Sequence, residues 1–387
     1  MRSLKAALFQ PMLRAILSSM KQTTARTVFL VLLATLVVSV AAGQARPTTA
    51  VPAAYPRTPG EWAAFFAPDP RFVEIGGIPE PMPTRKLADA CLIASGVPPE
   101  RMEFYIGRLR ETFEALRVGS ERIQDPALRA ESILPFLHRT LFKKYQEDAT
   151  TVDGVVDTGY FNCVSSAVVY LLAARVFVLP MKGVQTPDHA FCVLTVNGRD
   201  IDVETTNPFG FDPGTNKRFI SSFSKTTKYS YVPPGDYARR KTITEKDLVG
   251  LILHNSAVEM HGKGRYLDAL RLAVDRATGF PGPDSHDFLA DTATNACADL
   301  NKRGDMSGSL AVAERVLALA GPLPKVRELQ RVALHNFVAD AHNRFADYYN
   351  ARDYTRARTV IEEALRRVPD DPTLLKDLSV QYPLLSP

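Results

Sequence analysis

Apolar positions recur at three- and four-residue spacing from residue 83 to about residue 145, which predicts a run of helices. KLADACLIASG closes on Gly96 as a plausible cap. PPERMEFYIGRLRETFEALRVG keeps the helical spacing and stops at Gly119. DPALRAESILPFLHRTLFKKY opens with Asp125 in the N-cap slot and Pro126 at the first helical position. EDATTVDGVVDTGYF has no clear period and reads as loop. The stretch GYFNCVSSAVVYLLAARVFVLP then holds an almost unbroken apolar run. It predicts a buried helix over 164–177, beginning beside Cys163 and ending before Pro180. Three short β-like runs follow, MKGVQT, HAFCVLTV and DIDVETT. Asn197-Gly198 separates the last two, the strongest short hairpin signal a sequence carries. NPFGFDPGT reads as a turn-rich loop, and FSKTTKYSYVPPG as further strand or irregular chain.

From about Thr244 the helical period returns and repeats. LHNSAVEMHGKGRYLDALRLAVDRATGFPG places Ala257, Tyr266, Ala269 and Pro281 where a tetratricopeptide unit has small, aromatic, small and proline residues. HNRFADYYNARDYTRARTVIEEALRRVPDDP does the same with Phe345, Tyr354, Ala357, Ala364 and Pro369. Residues 288–322 form a degenerate middle copy, with Ser309 and Val316 in the small-residue slots. Such helix pairs cannot bury their faces alone and stack on one another. An ordinary helical domain is the competing reading.

The first residues change the picture of where the chain works. Arg2, Lys5, Arg14, Lys21 and Arg26 precede VFLVLLATLVVSVAAGQA, an apolar run of about 15 residues followed by small residues suited to cleavage after Ala42 or Ala45. The run is short for a membrane span, which needs about 20. Residues 1–45 are therefore expected to be a signal peptide or, if uncleaved, an N-terminal anchor, and the chain is expected outside the cytoplasm, periplasmic or extracellular. Residues 46–82 are expected to be a linker, because Pro, Thr and Ala crowd its start. The chain of 387 residues, 45% hydrophobic and 23% charged, is long enough for two domains. The net charge of +5 comes without a basic block interleaved with aromatics, so no nucleic-acid partner is expected.

Four cysteines, Cys91, Cys163, Cys192 and Cys297, are too few for a disulfide framework in an exported chain of this length. One pair, Cys163 with Cys192, remains open. Cys163 differs from the others in standing at a helix start, where free N–H groups and the helix dipole favour a thiolate. A cysteine nucleophile also needs an imidazole and a group that orients it. His189 opens the strand in TPDHAFCVL, and Asp202 and Glu204 lie across the Asn197-Gly198 turn. Alternation puts the two carboxylates on one strand face. No phosphate-loop or calcium-loop pattern is present, and His254 and His261 lack metal-ligand spacing, so neither cofactor nor metal is expected.

The order of Cys, His and acid in FNCVSSAVVYL, DHAFCVL and IDVETTNP resembles the transglutaminase-like superfamily, whose fold is papain-like. The resemblance implies a catalytic Cys163, a His189 that relays protons, and Glu204 as the acid, in the slot of the family's Asp-x-Thr segment. Asp202 is the alternative acid, and glutamate departs from the commoner aspartate. Residues 83–371 also resemble the bacterial SirB1-type family, which joins a helical lead-in, a transglutaminase-like core and tetratricopeptide units. Many of its members lack the nucleophile. The expected fold class is α+β. A helical lead-in and transglutaminase-like core, with a central helix and a small antiparallel sheet, occupy 83–243. An all-α tetratricopeptide-like repeat array occupies 244–387.

Two functions stay open. One is a cysteine-dependent peptidase or amidase, or a transglutaminase-type acyl transferase, acting on a peptide or protein. Its oxyanion donors include the Cys163 backbone N–H, with Asn162 or Tyr160 as the side-chain donor. The other is a non-catalytic scaffold that binds a protein partner through the repeats. A membrane is a partner only if the N-terminal segment is uncleaved.

Overall fold

The computed structural model of the chain describes Pro56 and residues 58–215 and 238–381, all within one compact unit, Pro52–Pro387. The expected export segment and the FSKTTKYSYVPPG stretch lie outside the described residues. The architecture is α+β and mostly helical, with a small antiparallel sheet and a C-terminal helical array. Among the described residues no helix is long and apolar enough to cross a membrane.

Folding begins earlier than the sequence pattern suggests. Helices α1 (Pro59–Phe65) and α2 (Pro70–Gly77) occupy the stretch expected as linker. Each is short, and helices of this length are not stable in isolation. Their apolar residues supply the missing stability: Trp62 and Phe66 are buried in the core of the helical array, and Phe72 and Ile75 in the neighbouring core. The lead-in continues as α3 (Thr84–Ala94), α4 (Met102–Gly119) and α5 (Pro126–Thr140). Asp125 caps α5 by accepting the Leu128 N–H at 2.9 Å. Within the expected loop of 147–161 lie β1's partner and one more helix. Strand β1 (Lys144–Tyr145) pairs in parallel with β2 (Tyr160–Phe161), and α6 (Val152–Thr158) sits between them.

Helix α7 (Cys163–Arg175) is the centre of the first core. Every residue from Val164 to Ala174 is buried, as expected of a helix that is apolar all round. One side of it meets α3, α5 and α6, and another meets the sheet. The sheet runs in the order β5-β4-β3-β6, formed by β3 (Met181–Gln185), β4 (Ala190–Val196), β5 (Arg199–Val203) and β6 (Lys241–Ile243), and is antiparallel throughout. Asn197 and Gly198 both take positive φ, 52° and 74°, the backbone a two-residue turn between twisted strands requires. That turn fixes the register, with Leu194 opposite Ile201 and Cys192 opposite Val203. Ala190, Cys192, Leu194, Ile201 and Val203 therefore join the α7 core, while Val184, Phe191 and Val193 make a separate cluster on the other face.

The array follows as α8 (Glu245–Gly262), α9 (Tyr266–Gly279), α10 (Pro283–Lys302), α11 (Met306–Ala320), α12 (Pro324–Asn350), α13 (Tyr354–Arg367) and α14 (Pro372–Gln381), each packed on the next. Three of the turns repeat one feature. Gly264, Gly304 and Arg352 all stand two residues before a helix with φ of 72°, 80° and 60°. The first core extends past residue 244. Leu248, Val249, Leu251, Ile252 and Leu253 of α8 belong to the core built around α7. The cause lies in the sequence of α8, which is apolar on more than the one stripe an array helix needs. A partly buried pair of charges adds to the tie, Arg175 at the end of α7 bonding Glu245 at the start of α8.

Candidate active site

Cys163 is the first residue of α7, and its position is fixed from both sides. The Asn162 side chain accepts the N–H groups of Val164 and Ser165, each at 3.0 Å. Ser165 Oγ accepts the Asn162 N–H at 2.9 Å and donates to the Ala149 carbonyl at 2.7 Å. Asn162 Nδ2 donates to the Glu147 carbonyl at 3.0 Å. This capping box satisfies donors that a helix start leaves open. The Asn162 oxygen is therefore committed to the cap, and one N–H of its amide to Glu147. The Lys144 ammonium lies 5.6 Å from the Tyr160 ring centroid. The Cys163 backbone N–H is bonded to no acceptor among the described residues.

The four cysteines are free thiols and fall into two groups. Cys91, Cys192 and Cys297 are buried, and burial pushes all three thiols up, Cys297 to about 11. Cys192 donates to the Ala167 carbonyl inside α7 at 3.5 Å rather than pairing with Cys163. Cys163 alone is partly exposed.

His189 stands one residue before β4, where the Thr186 N–H donates to the His189 carbonyl at 2.8 Å and closes the turn. Its ring lies over Phe191, with centroids 6.2 Å apart and planes 29° from parallel. Nε2 donates to Glu204 Oε2 at 2.6 Å, and Cys163 is close enough to influence the same imidazole. Burial alone would discharge this imidazole. The Glu204 carboxylate and the Cys163 contact outweigh burial and hold His189 well above the usual histidine range.

Glu204 follows the last residue of β5 and is buried. Burial opposes its charge, but His189 and Thr206 more than compensate, so the carboxyl lies below its usual range. Oε1 accepts the Thr206 N–H at 3.0 Å and the Thr206 hydroxyl at 2.6 Å. The backbone is pinned as well, the Glu204 N–H donating to the Gly210 carbonyl at 2.8 Å. A Cβ on Gly210 would lie 1.9 Å from the Glu204 carbonyl oxygen, so only glycine permits this approach.

The structure thus brings together Cys163, His189 and Glu204, and it separates Asp202 from them. Arg240 grips Asp202 through both guanidinium nitrogens, each at 2.7 Å. Asp200 accepts from Thr195 at 2.7 Å. Asp200, Asp202 and Glu204 therefore each hold a different side chain, and among the described residues no cluster of side chains is arranged to hold a metal ion. The residues that buttress the acid leave only a faint trace in the sequence. Thr205, Thr206 and Asn207 are buried polar residues directly after Glu204. Ser166 of α7 shares a 2.8 Å hydrogen bond with the Thr205 hydroxyl, and His138 of α5 lies 3.0 Å from the Thr205 carbonyl. The unbroken polar run ETTN at a strand end was the available signal.

Comparison with protein-family models, curated proteins and solved structures yields no match, so the chemistry rests on the site itself.

Proposed function

We propose that this chain is a thiol-dependent amide hydrolase or acyl transferase of transglutaminase-like type, acting on a peptide or protein substrate outside the cytoplasm. One observation carries the reading: the His189 ring bonds a buried Glu204 carboxylate at 2.6 Å, and Cys163 at a helix start lies near enough to act on that same ring. The pairing of the ring with a buried acid on one side and a thiol on the other is what cysteine nucleophiles use.

In this mechanism the Cys163 thiolate attacks the carbonyl carbon of an amide. The C–S bond forms as the π electrons move to oxygen, and the Cys163 N–H donates to that oxyanion. Collapse breaks the C–N bond, and His189 passes its proton to the departing amine. The thioester is then attacked by water or by an amine, which loses its proton to His189 as C–S breaks. Glu204 keeps the ring in place and its charge balanced throughout. The helical array, read as tetratricopeptide-like, presents a surface for a protein partner.

Alkylation tests this directly. Intact protein is treated with iodoacetamide between pH 5 and 9, and modification at each cysteine is followed by mass spectrometry. Cys163 is expected to react much faster than the three buried thiols, and the fast phase disappears in Cys163→Ala. Equal, slow labelling of all four would refute the catalytic reading and favour a binding scaffold. Incubation with a glutamine-bearing peptide and a fluorescent amine then separates transfer from hydrolysis.

A further inference from the structure

His138 touches both halves of the site without belonging to either. It lies on α5, in the helical lead-in, far along the chain from His189 and Glu204. On one side its ring meets Phe161 edge-on, with centroids 5.6 Å apart, two residues before Cys163. On the other side Nε2 lies 3.0 Å from the Thr205 carbonyl, in the residue after Glu204. Phe142 flanks it at 5.2 Å. A carbonyl can only accept, so Nε2 carries the proton and donates.

We infer that His138 is a positioning residue of this site, holding the 204–206 segment against α7 so that the Glu204 carboxylate stays within reach of His189. Three features support this. Thr205 is entirely buried, and its hydroxyl is bonded to Ser166 at 2.8 Å, so the segment docks at two adjacent points. Thr206, the next residue, supplies both hydrogen bonds to Glu204 Oε1. Ser166 in turn bonds the Cys163 carbonyl at 3.2 Å, closing a path from the acid segment back to the nucleophile's helix. Burial pushes His138 down to about 4, which keeps the ring neutral and Nε2–H available at working pH. Glu204 is the charged group whose field reaches this ring.

The inference rests on reading Cys163, His189 and Glu204 as one working unit, and the experiment separates the two. His138→Phe retains an aromatic ring against Phe142 and Phe161 but loses the donor. His138→Gln places an amide N–H near the position of Nε2. In the intact protein, His189 is titrated by NMR and Cys163 is labelled with iodoacetamide. In His138→Phe the His189 midpoint is expected to fall by about one pH unit and Cys163 labelling at pH 7 to slow about tenfold, and His138→Gln is expected to restore most of both. Where His138→Phe does not fold, His138→Leu serves as the donor-free arm. A wild-type His189 midpoint in the folded donor-free variant overturns the inference, as does equal impairment by both variants, which would mark a packing role only. Slow wild-type labelling of Cys163 would instead sink the catalytic reading, while the His189 titration still decides the role of His138.

Discussion

Replacing Glu204 with glutamine removes one charge and keeps the shape, and the surrounding hydrogen bonds leave the new amide no good orientation. If its oxygen faces Thr206, the NH2 group faces His189 Nε2 and forces that nitrogen to accept. The ring proton then moves to Nδ1, and the neutral ring is no longer a base there. If the amide flips, NH2 meets the Thr206 N–H and leaves a buried donor unsatisfied. Three charge-assisted bonds hold the native carboxylate, at 2.6, 3.0 and 2.6 Å. Each loses about 1 kcal/mol on becoming neutral, so the variant is expected to be about 3 kcal/mol less stable near pH 6. That is the lower end of the cost of breaking a buried pair by removing one partner.

The loss has a definite pH dependence. A raised histidine stabilises the fold fully below its ordinary value of 6.5 and loses that contribution as pH rises through its folded value. A depressed carboxyl stabilises fully above its ordinary value of 4.5 and loses it as pH falls through its folded value. Both are whole between those two values. The stability gap between wild type and Glu204→Gln is therefore expected to be widest near pH 5–6 and to narrow as pH rises through the raised folded value of His189. Urea unfolding across the range from pH 5 to beyond that value measures the gap. A gap that does not change with pH would refute the ion-pair account of the site.

Three further outcomes follow from the geometry. Asp202→Asn weakens the Arg240 pair, so it is expected to lower stability by about 1 kcal/mol while leaving Cys163 labelling within about twofold of wild type; a large loss of labelling would move the acid's role to Asp202. Gly210→Ala forces two backbone segments apart by more than an ångström, with an expected loss of about 3 kcal/mol and slowed Cys163 labelling, read by thermal unfolding and mass spectrometry. Arg352→Gly relieves a left-handed residue in a slot that Gly264 and Gly304 fill elsewhere, and is expected to gain about 0.5–1 kcal/mol in urea unfolding even after the larger unfolded-state entropy of glycine.

The first core draws the parts of the site together although they are far apart in the chain. Helix α7 is locked on three sides, and α8 of the array closes one of them. A change in the array near Leu248 or Ile252 therefore reaches the helix that carries Cys163 through direct packing.

Sequence alone determined the elements whose signals are local. The apolar run fixed α7, Asn197-Gly198 fixed the β4–β5 hairpin, and Asp125-Pro126 fixed the start of α5, because capping, turn geometry and period act within a few residues. It also singled out Cys163, His189 and two possible acids, since their order and spacing survive without coordinates. The family resemblance favoured Glu204 over Asp202, but the local pattern did not separate them. Asp202 and Glu204 are equivalent by strand alternation, and only tertiary contacts give one to Arg240 and the other to His189. The short helices α1 and α2, the membership of α8 in the first core and the bracing by His138 and Ser166 were likewise decided in three dimensions. Each depends on partners distant in the chain, whose contribution leaves no periodic trace in the residues that receive it.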